Sequence, residues 1–568
     1  MASEKVNLGP EEQPCPPPET SGGAIATTEP DGVDSQPAAE APSTLMTGWR
    51  KHLLTAGIWL ALFLSTLETT IVSTSLVSIT NAVSGFHLRD WVVTAYLVSY
   101  TGFMVIYAKV GDVFGRKTMY LLGLAIFVLF SLLCGASTDI VELIVFRAFQ
   151  GMGASGIYSM TLTIAPSLVP KAEFGKYIAI ISTVFALASV LGPVLGGVIS
   201  NHGSSWRWVF FLNGPVGLVA FALLAFLLPN STRNPPDSTF LSHLRSKVAF
   251  ENLRRVDIVG VFLLLASSVL IIFAFESAGT RFAWNSAPFI SIIVIALVAG
   301  ILFMVWEATP WPKDPVFPLR LIKNRMTPAM LLSTFFIGFP FMAIVVNIPQ
   351  SAQAIHAYSP QKAGIILLPL LLSSPVATAA SGFMTSNLNI PPFYIILAGS
   401  VMQTIGVGLA CSLPADASGA FPVRQYGFET IMGVGFGMTA STVLTLVPLV
   451  TDEKDAPVIM GALTQLRTLG GTISLAICAT ILNNHVQSQL TDLLSPRELH
   501  AISESLSSIE LLTPAQQTAV RNAFAEGYHK QFVLLTALSG VSLLCSLLLW
   551  ERIPRRVSES SKNSPIET

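Results

Sequence analysis

The chain has 568 residues, 52% of them hydrophobic and 11% charged, well below the roughly one-quarter charge of a soluble globular protein. No water-soluble fold hides that much apolar surface, which excludes a soluble enzyme or binding module. The net charge of -1, with 32 Lys and Arg scattered over short segments, leaves no basic patch for nucleic acid.

Residues 1–47 are rich in Pro, Glu, Ser, Gly and Ala and hold no apolar run, which predicts a disordered tail rather than a signal peptide. The first hydrophobic helix then serves as its own insertion signal. Fourteen apolar runs follow, each near the ~20 residues that a bilayer crossing takes. They are 53–76, 91–110, 118–137, 141–168, 177–199, 208–228, 257–276, 287–306, 327–349, 363–383, 391–411, 427–449, 457–482 and 531–550. The predicted fold is therefore all-α and polytopic, and the even count puts both tails on one side.

With the tails inside, the inner segments carry roughly two-thirds of the 32 Lys and Arg, Lys171, Lys176, Arg245, Arg254, Arg255, Arg320, Arg325, Arg555 and Arg556 among them, which is the positive-inside pattern. Both termini are thus expected in the cytoplasm, flanking a cytoplasmic loop 229–256 and ending in the tail 551–568. The one sequon, Asn230-Ser231-Thr232, falls in that loop and is expected to carry no glycan. The outer connection 483–530 is long and polar with a faint helical period, and either lies on the membrane surface or folds over the outer mouth. Six runs (53–228), an inserted pair (257–306) and six more (327–550) suggest two repeats, and repeat-built transporters hold substrate near the midplane between the repeats.

Four segments carry residues that a lipid-spanning helix does not need. AKVGDVFGRK, between runs two and three, joins Gly111 and Gly115 for a tight turn with Asp112, Arg116 and Lys117 for inner-side gating. RAFQGMGAS, in run four, places Arg147 about seven residues to the outer side of the middle of the run, too deep for a simple anchor, and follows it with Gln150 and helix-packing glycines. Glu68 is the acid clearly inside an apolar run; burial and a nearby Arg147 together make it either a proton carrier or a permanently paired glutamate. VLGPVLGG sets Gly192, Pro193, Gly196 and Gly197 on one face, as a packing seam or a hinge.

Arg467 in run thirteen echoes Arg147; with Gln150, Gln350, Gln403 and Gln465 it either lines a polar cavity or leaves the glutamines bonded to neighbouring backbone. The histidines fall in loops or at run ends, which argues against a histidine relay or a metal site. Five separated cysteines (Cys15, Cys134, Cys411, Cys478, Cys545) without a CxxC read as packed thiols.

Taken in order, GDVFGRK, RAFQGMGAS, the Gly192-Pro193 and Gly196-Gly197 pairs and WRWVFFLNGPVG resemble the motifs of the major facilitator superfamily, in particular its 14-span drug:proton antiporter family, and most closely fungal efflux pumps of secondary-metabolite and toxin clusters. Trp206, Arg207, Trp208, Asn213, Pro215 and Gly217 stand at the signature of the 14-span branch, and the glycine-proline pairs look like the antiporter motif. Three departures stand out: Glu68 with Ser75 and Val77 where the span-one motif has Asp, Ala and Pro; Ala108 and Ala188 at two motif starts; and an uncharged TSNLNIPP in the second half.

The resemblance implies two six-helix bundles with two extra central helices, rocking to export an amphipathic small organic compound in exchange for protons. Glu68 and Arg147 would couple, Asp112 and Arg116 would gate, and the only energy source would be the proton gradient, with no cofactor or metal. A monomer in the cell membrane, or else the vacuolar membrane, is expected. The rivals are an importer of a metal chelate or other small solute on the same fold, and a sensor that moves no substrate. Without GxxxxGK[ST], ATP is not the driver.

Overall fold

A backbone crossing hydrocarbon has to satisfy its N–H and C=O groups within its own segment, so apolar runs of this length become helices. The computed structural model describes residues 49–83, 85, 88–168, 174–200, 206–228, 257–278, 282–311, 315–414, 421–452, 455–504 and 506–556. The tail 1–47, the loop 229–256 with Asn230, Cys15 and the side chain of Asp112 lie outside the described residues. Fourteen long helices follow the fourteen runs: α1 Trp49–Ala82, α2 Arg89–Phe114, α3 Arg116–Ala136, α4 Ile140–Leu168, α5 Phe174–Ser200, α6 Trp208–Leu227, α7 Ile258–Ser277, α8 Ala287–Ala308, α9 Met326–His356, α10 Pro360–Ser386, α11 Pro392–Ala410, α12 Arg424–Val450, α13 Ala456–Leu490 and α14 Pro514–Leu547. Thirteen are long and apolar enough to cross a membrane, and α5, at 27 residues, has the length.

Local chemistry sets their ends. Asp257 starts α7 by accepting the Gly260 N–H at 2.9 Å, and Thr513 with Gln516 forms a capping box at α14. α2 turns into α3 through Gly115 alone, at φ 94°, where an L side chain is strained.

Packing repeats itself. In the first six helices α1 lies on α5 and α6, α2 on α4, and α3 on α4 and α6; α9 to α14 repeat the same pairs, α9 on α13 and α14, α10 on α12, and α11 on α12 and α14. α7 and α8 pair with each other, and α7 bridges α2 and α13. Their outward residues, such as Phe262 and Ile301, are bare as lipid-facing side chains are. The two repeats meet through α2 against α13 and α5 against α10. Successive helices reverse direction, so α1, α3 and the other odd-numbered helices start at the end of the molecule near residue 49, the terminal end; the opposite is the far end.

The connection expected over 483–530 is largely helix. α13 runs on to Leu490 and α14 starts at Pro514, with a short helix Pro496–Glu504 and a 3-10 turn Leu506–Leu511 between them. Leu490, Leu494, Ile502, Ile509, Val520, Phe524 and Tyr528 bury against Ala354 and Leu482, which folds the segment over the far end of α9 and α13. Polar residues on the outward faces of these extensions lower their mean hydropathy, so run edges drawn from hydropathy stop short of the helix ends. The Ser495 N–H and hydroxyl both donate to the Glu498 carboxylate at 2.8 Å, which holds that exposed acid below the usual carboxylate range.

Candidate functional site

Helix packing brings Glu68 of α1, Arg147 and Gln150 of α4, and Asn213 of α6 to one point. Both ionic side chains are 1% exposed. Arg147 Nη1 donates to Glu68 Oε1 at 2.6 Å and to Gln150 Oε1 at 2.8 Å, and its Nε donates to the Val92 carbonyl at 3.0 Å. Asn213 Nδ2 donates to Glu68 Oε2 at 2.7 Å and to Ser131 Oγ at 2.8 Å. The guanidinium also lies 4.3 Å from the centre of the Tyr96 ring, a favourable cation–π approach. Each carboxylate oxygen thus holds one donor from a different helix, and the one formal charge pair is enclosed by dipoles, as a buried ion pair requires. Among the described residues the Gln150 amide nitrogen has no hydrogen-bond partner.

Beside this cluster α1 meets the α5 glycines. A Cβ on Gly192 would sit 2.0 Å from Thr70 Oγ1, and one on Gly196 would sit 2.3 Å from Thr74 Oγ1 and 2.7 Å from the Ile71 carbonyl. Thr70 donates to the Ala188 carbonyl at 3.2 Å and Ser75 to that of Gly196 at 3.2 Å. Gly197 faces the other way: its Cβ would lie 2.4 Å from Gln361 Cα of α10, and the Pro193 carbonyl lies against Gly364. The same short stretch therefore packs on its own bundle with one face and on the opposite repeat with the other, at the far end. There Arg89 also donates to Asn483 across the two repeats at 3.2 Å.

At the terminal end the turn residues stay within the first bundle. Gly111 faces Met160, Arg116 Nη1 donates to the Thr163 carbonyl at 3.4 Å, and Lys117 Nζ donates to that of Leu228 at 2.7 Å. The signature segment splits by role. Arg207 donates to the Gly135 and Ser137 carbonyls at 2.8 and 2.6 Å, tying α6 to the end of α3. Trp206 is buried, Gly217 fits against Val128, and Trp208 and Pro215 face outward.

Gln150 belongs to the Glu68 cluster, Gln403 donates to the Ile337 carbonyl at 3.3 Å, and Gln350 and Gln465 are buried. Gln403 thus satisfies neighbouring backbone, as a lone amide in a membrane helix does, while the Gln350 amide nitrogen has no hydrogen-bond partner among the described residues. Arg467 is half-buried, with its guanidinium 5.9 Å from the centre of the Phe436 ring.

Asn213 stood in the sequence as a signature residue only; its signal as a carboxylate partner was an amide alone in an apolar run. Glu429, two residues inside the run 427–449 and sixth in α12, is 0% exposed, taking one donor from Gln425 at 3.0 Å and leaving its second oxygen without one among the described residues. His485, expected in a loop, is buried in the extension of α13. Lys530 can only donate, so its 2.9 Å contact makes His485 Nδ1 an acceptor and turns the Nε2 proton toward Glu526 at 3.1 Å.

Residues 58–282 match the family model described as Major Facilitator Superfamily. The chain is 48% identical over 514 residues to the MFS-type transporter FPY5 of Fusarium mangiferae, covering 90% of this chain and 85% of that one. It is 32% identical to the efflux pump FUS6 of Gibberella fujikuroi, covering 80% of each. In fold it is similar to a bacterial homolog of the human lysosomal transporter Spinster in an inward-facing, unoccupied conformation, with a TM-score of 0.62, 14% identity and 89% of this chain and 100% of that one covered.

Proposed function

This chain belongs to the major facilitator superfamily and is a multi-pass membrane transporter of small molecules, not an enzyme; from that premise we propose that it exports an amphipathic organic compound in exchange for protons, by alternating access between its two six-helix bundles. The efflux-pump name of the Gibberella relative supports the outward direction. The terminal end, rich in Lys and Arg, faces the cytoplasm of the cell, and one chain forms the working unit.

The observation that carries this reading is the Glu68 cluster, a buried carboxylate with one donor on each oxygen. While ionised, Glu68 draws α4 through Arg147 and α6 through Asn213 onto α1. A proton on the carboxyl cancels the attraction to Arg147 and turns one oxygen from acceptor into donor, so that oxygen no longer suits an N–H partner. Arg147 keeps Val92 and Gln150 as partners, so the released element is α1. α1 lies on the α5 seam, whose other face touches α10. A charge change at Glu68 is thereby converted into a change of packing between the bundles.

The test is reconstitution in liposomes with a fluorescent amphipathic substrate and an imposed pH gradient. Wild type is expected to move substrate with the gradient and Glu68→Gln to lose that dependence. Gradient-independent movement by wild type would overturn the coupling.

A further inference from the structure

Among the described residues Arg467 has no acidic partner and makes neither a salt bridge nor a side-chain hydrogen bond, and its guanidinium lies 5.9 Å from the centre of the Phe436 ring. Glu68 is engaged by Arg147 and Asn213, and Glu429 lies seven residues along α12 from Phe436, about 10 Å of helix rise. Phe436 stacks flat on Phe341 of α9, with ring centres 3.6 Å apart. Across the junction, Gly471, one turn along α13 from Arg467, packs on Met342 of α9, and Tyr100 of α2 forms an edge contact with Tyr158 of α4, which in turn meets Phe185 of α5. Tyr100, Tyr158 and Phe185 belong to a core cluster that also takes in Met342 of α9 and Leu475 of α13, so the two repeats join here.

All six side chains stand ten or more residues from either end of their helices, which sets them well below the bilayer surface and beyond the reach of lipid headgroups. An unpaired guanidinium is costly there, and it keeps its proton at any working pH. Aromatic faces offset part of that cost; an anion offsets more, through charge-assisted and often bidentate hydrogen bonds. Resting on the export reading above, we propose that this junction binds the transported compound and that the compound is an organic anion: an apolar body between Tyr100, Tyr158, Phe185, Phe341 and Phe436, and a carboxylate or acidic enol on Arg467. Selection by charge then comes from one residue of the second repeat, while proton coupling stays in the first.

The experiment uses the full chain in detergent and then in liposomes, with three probes on one skeleton: pyrenebutyrate, its neutral amide and pyrenebutylamine. Equilibrium binding by wild type is expected to favour the carboxylate over the amide by at least about tenfold, the value of one charge-assisted hydrogen bond, and the amine least of all. Arg467→Gln is expected to erase the difference, and Arg467→Lys to restore part of it. Equal binding of carboxylate and amide by wild type overturns the proposal without recourse to any variant; so does a preference that survives Arg467→Gln. Binding needs no gradient, which separates the two readings. A carboxylate preference without gradient-driven movement refutes proton coupling and leaves Arg467 in place, whereas gradient-driven movement of amide and carboxylate alike does the reverse.

Discussion

Among the described residues, each repeat carries one arginine well inside a membrane-crossing helix, and the two are solved differently. Arg147 is closed off, with a carboxylate at 2.6 Å, an amide oxygen, a backbone carbonyl and a tyrosine face around it. Arg467 is half-buried, lies 5.9 Å from the centre of the Phe436 ring and has no acidic partner among the described residues. The same costly group is compensated by the protein in the first case and left to be compensated by something else in the second. A closed pair stores a state of the molecule; an open cation waits for a ligand.

The comparison breaks most severely on the closed side. Arg147→Met strands Glu68 without its counter-charge, and loss of one member of a buried pair costs about 3–5 kcal/mol. The expected result is a large fall in the unfolding midpoint in detergent and no measurable transport. Glu68→Gln keeps an oxygen for Arg147 but removes its counter-charge, so it too is expected to cost up to about 3–5 kcal/mol, with gradient dependence lost. If Arg147→Met unfolded where wild type does, the pair would be irrelevant to stability and the contrast with Arg467 would collapse.

The α5 seam separates effects within a bundle from effects between bundles. Gly196→Ala drives a methyl at Thr74 and the Ile71 carbonyl of its own bundle, an overpacking of about 1–3 kcal/mol read by thermal unfolding. Gly197→Val meets Gln361 of the opposite repeat and penalises only the state in which the far ends touch. There a cost of about 1.4 kcal/mol cuts the population tenfold. Its expected signature is faster labelling of a cysteine placed at the far end, with transport reduced and the unfolding midpoint nearly unchanged. A purely local effect of comparable size belongs to Gly115→Ala, since φ 94° there costs a side chain about 1–3 kcal/mol, again read by thermal unfolding.

Much of the first repeat was legible. One acid and one arginine, each alone in an apolar run, point to one another because hydrocarbon leaves them no other partner, and Glu68 meets Arg147. The third member was not legible, because Asn213 in α6 is as well served by backbone as by a carboxylate 145 positions away, and one sequence carries no distances between helices. Glu429 stands two residues inside the run 427–449, and its full burial is set by helix packing that one sequence does not show. The far-end extensions of α13 and α14 escaped likewise, because half of each surface is polar and only the buried face shows them to be packed helix.

The smallest expected effect is the sharpest of the set because its sign is opposite. Arg467→Met removes a cation with no acidic partner and supplies a flexible apolar side chain of similar reach, which suits the neighbouring Phe436. Replacing charge by well-fitting apolar atoms in a low-dielectric site is often neutral or stabilising. Because Arg467 is only half-buried, the gain is discounted to about 0–1 kcal/mol. The unfolding midpoint of Arg467→Met is therefore expected to equal or slightly exceed that of wild type, while Arg147→Met lies far below it. A clear loss of stability in Arg467→Met would mean that the guanidinium already has its compensation inside the protein, and both membrane arginines would then be of one kind.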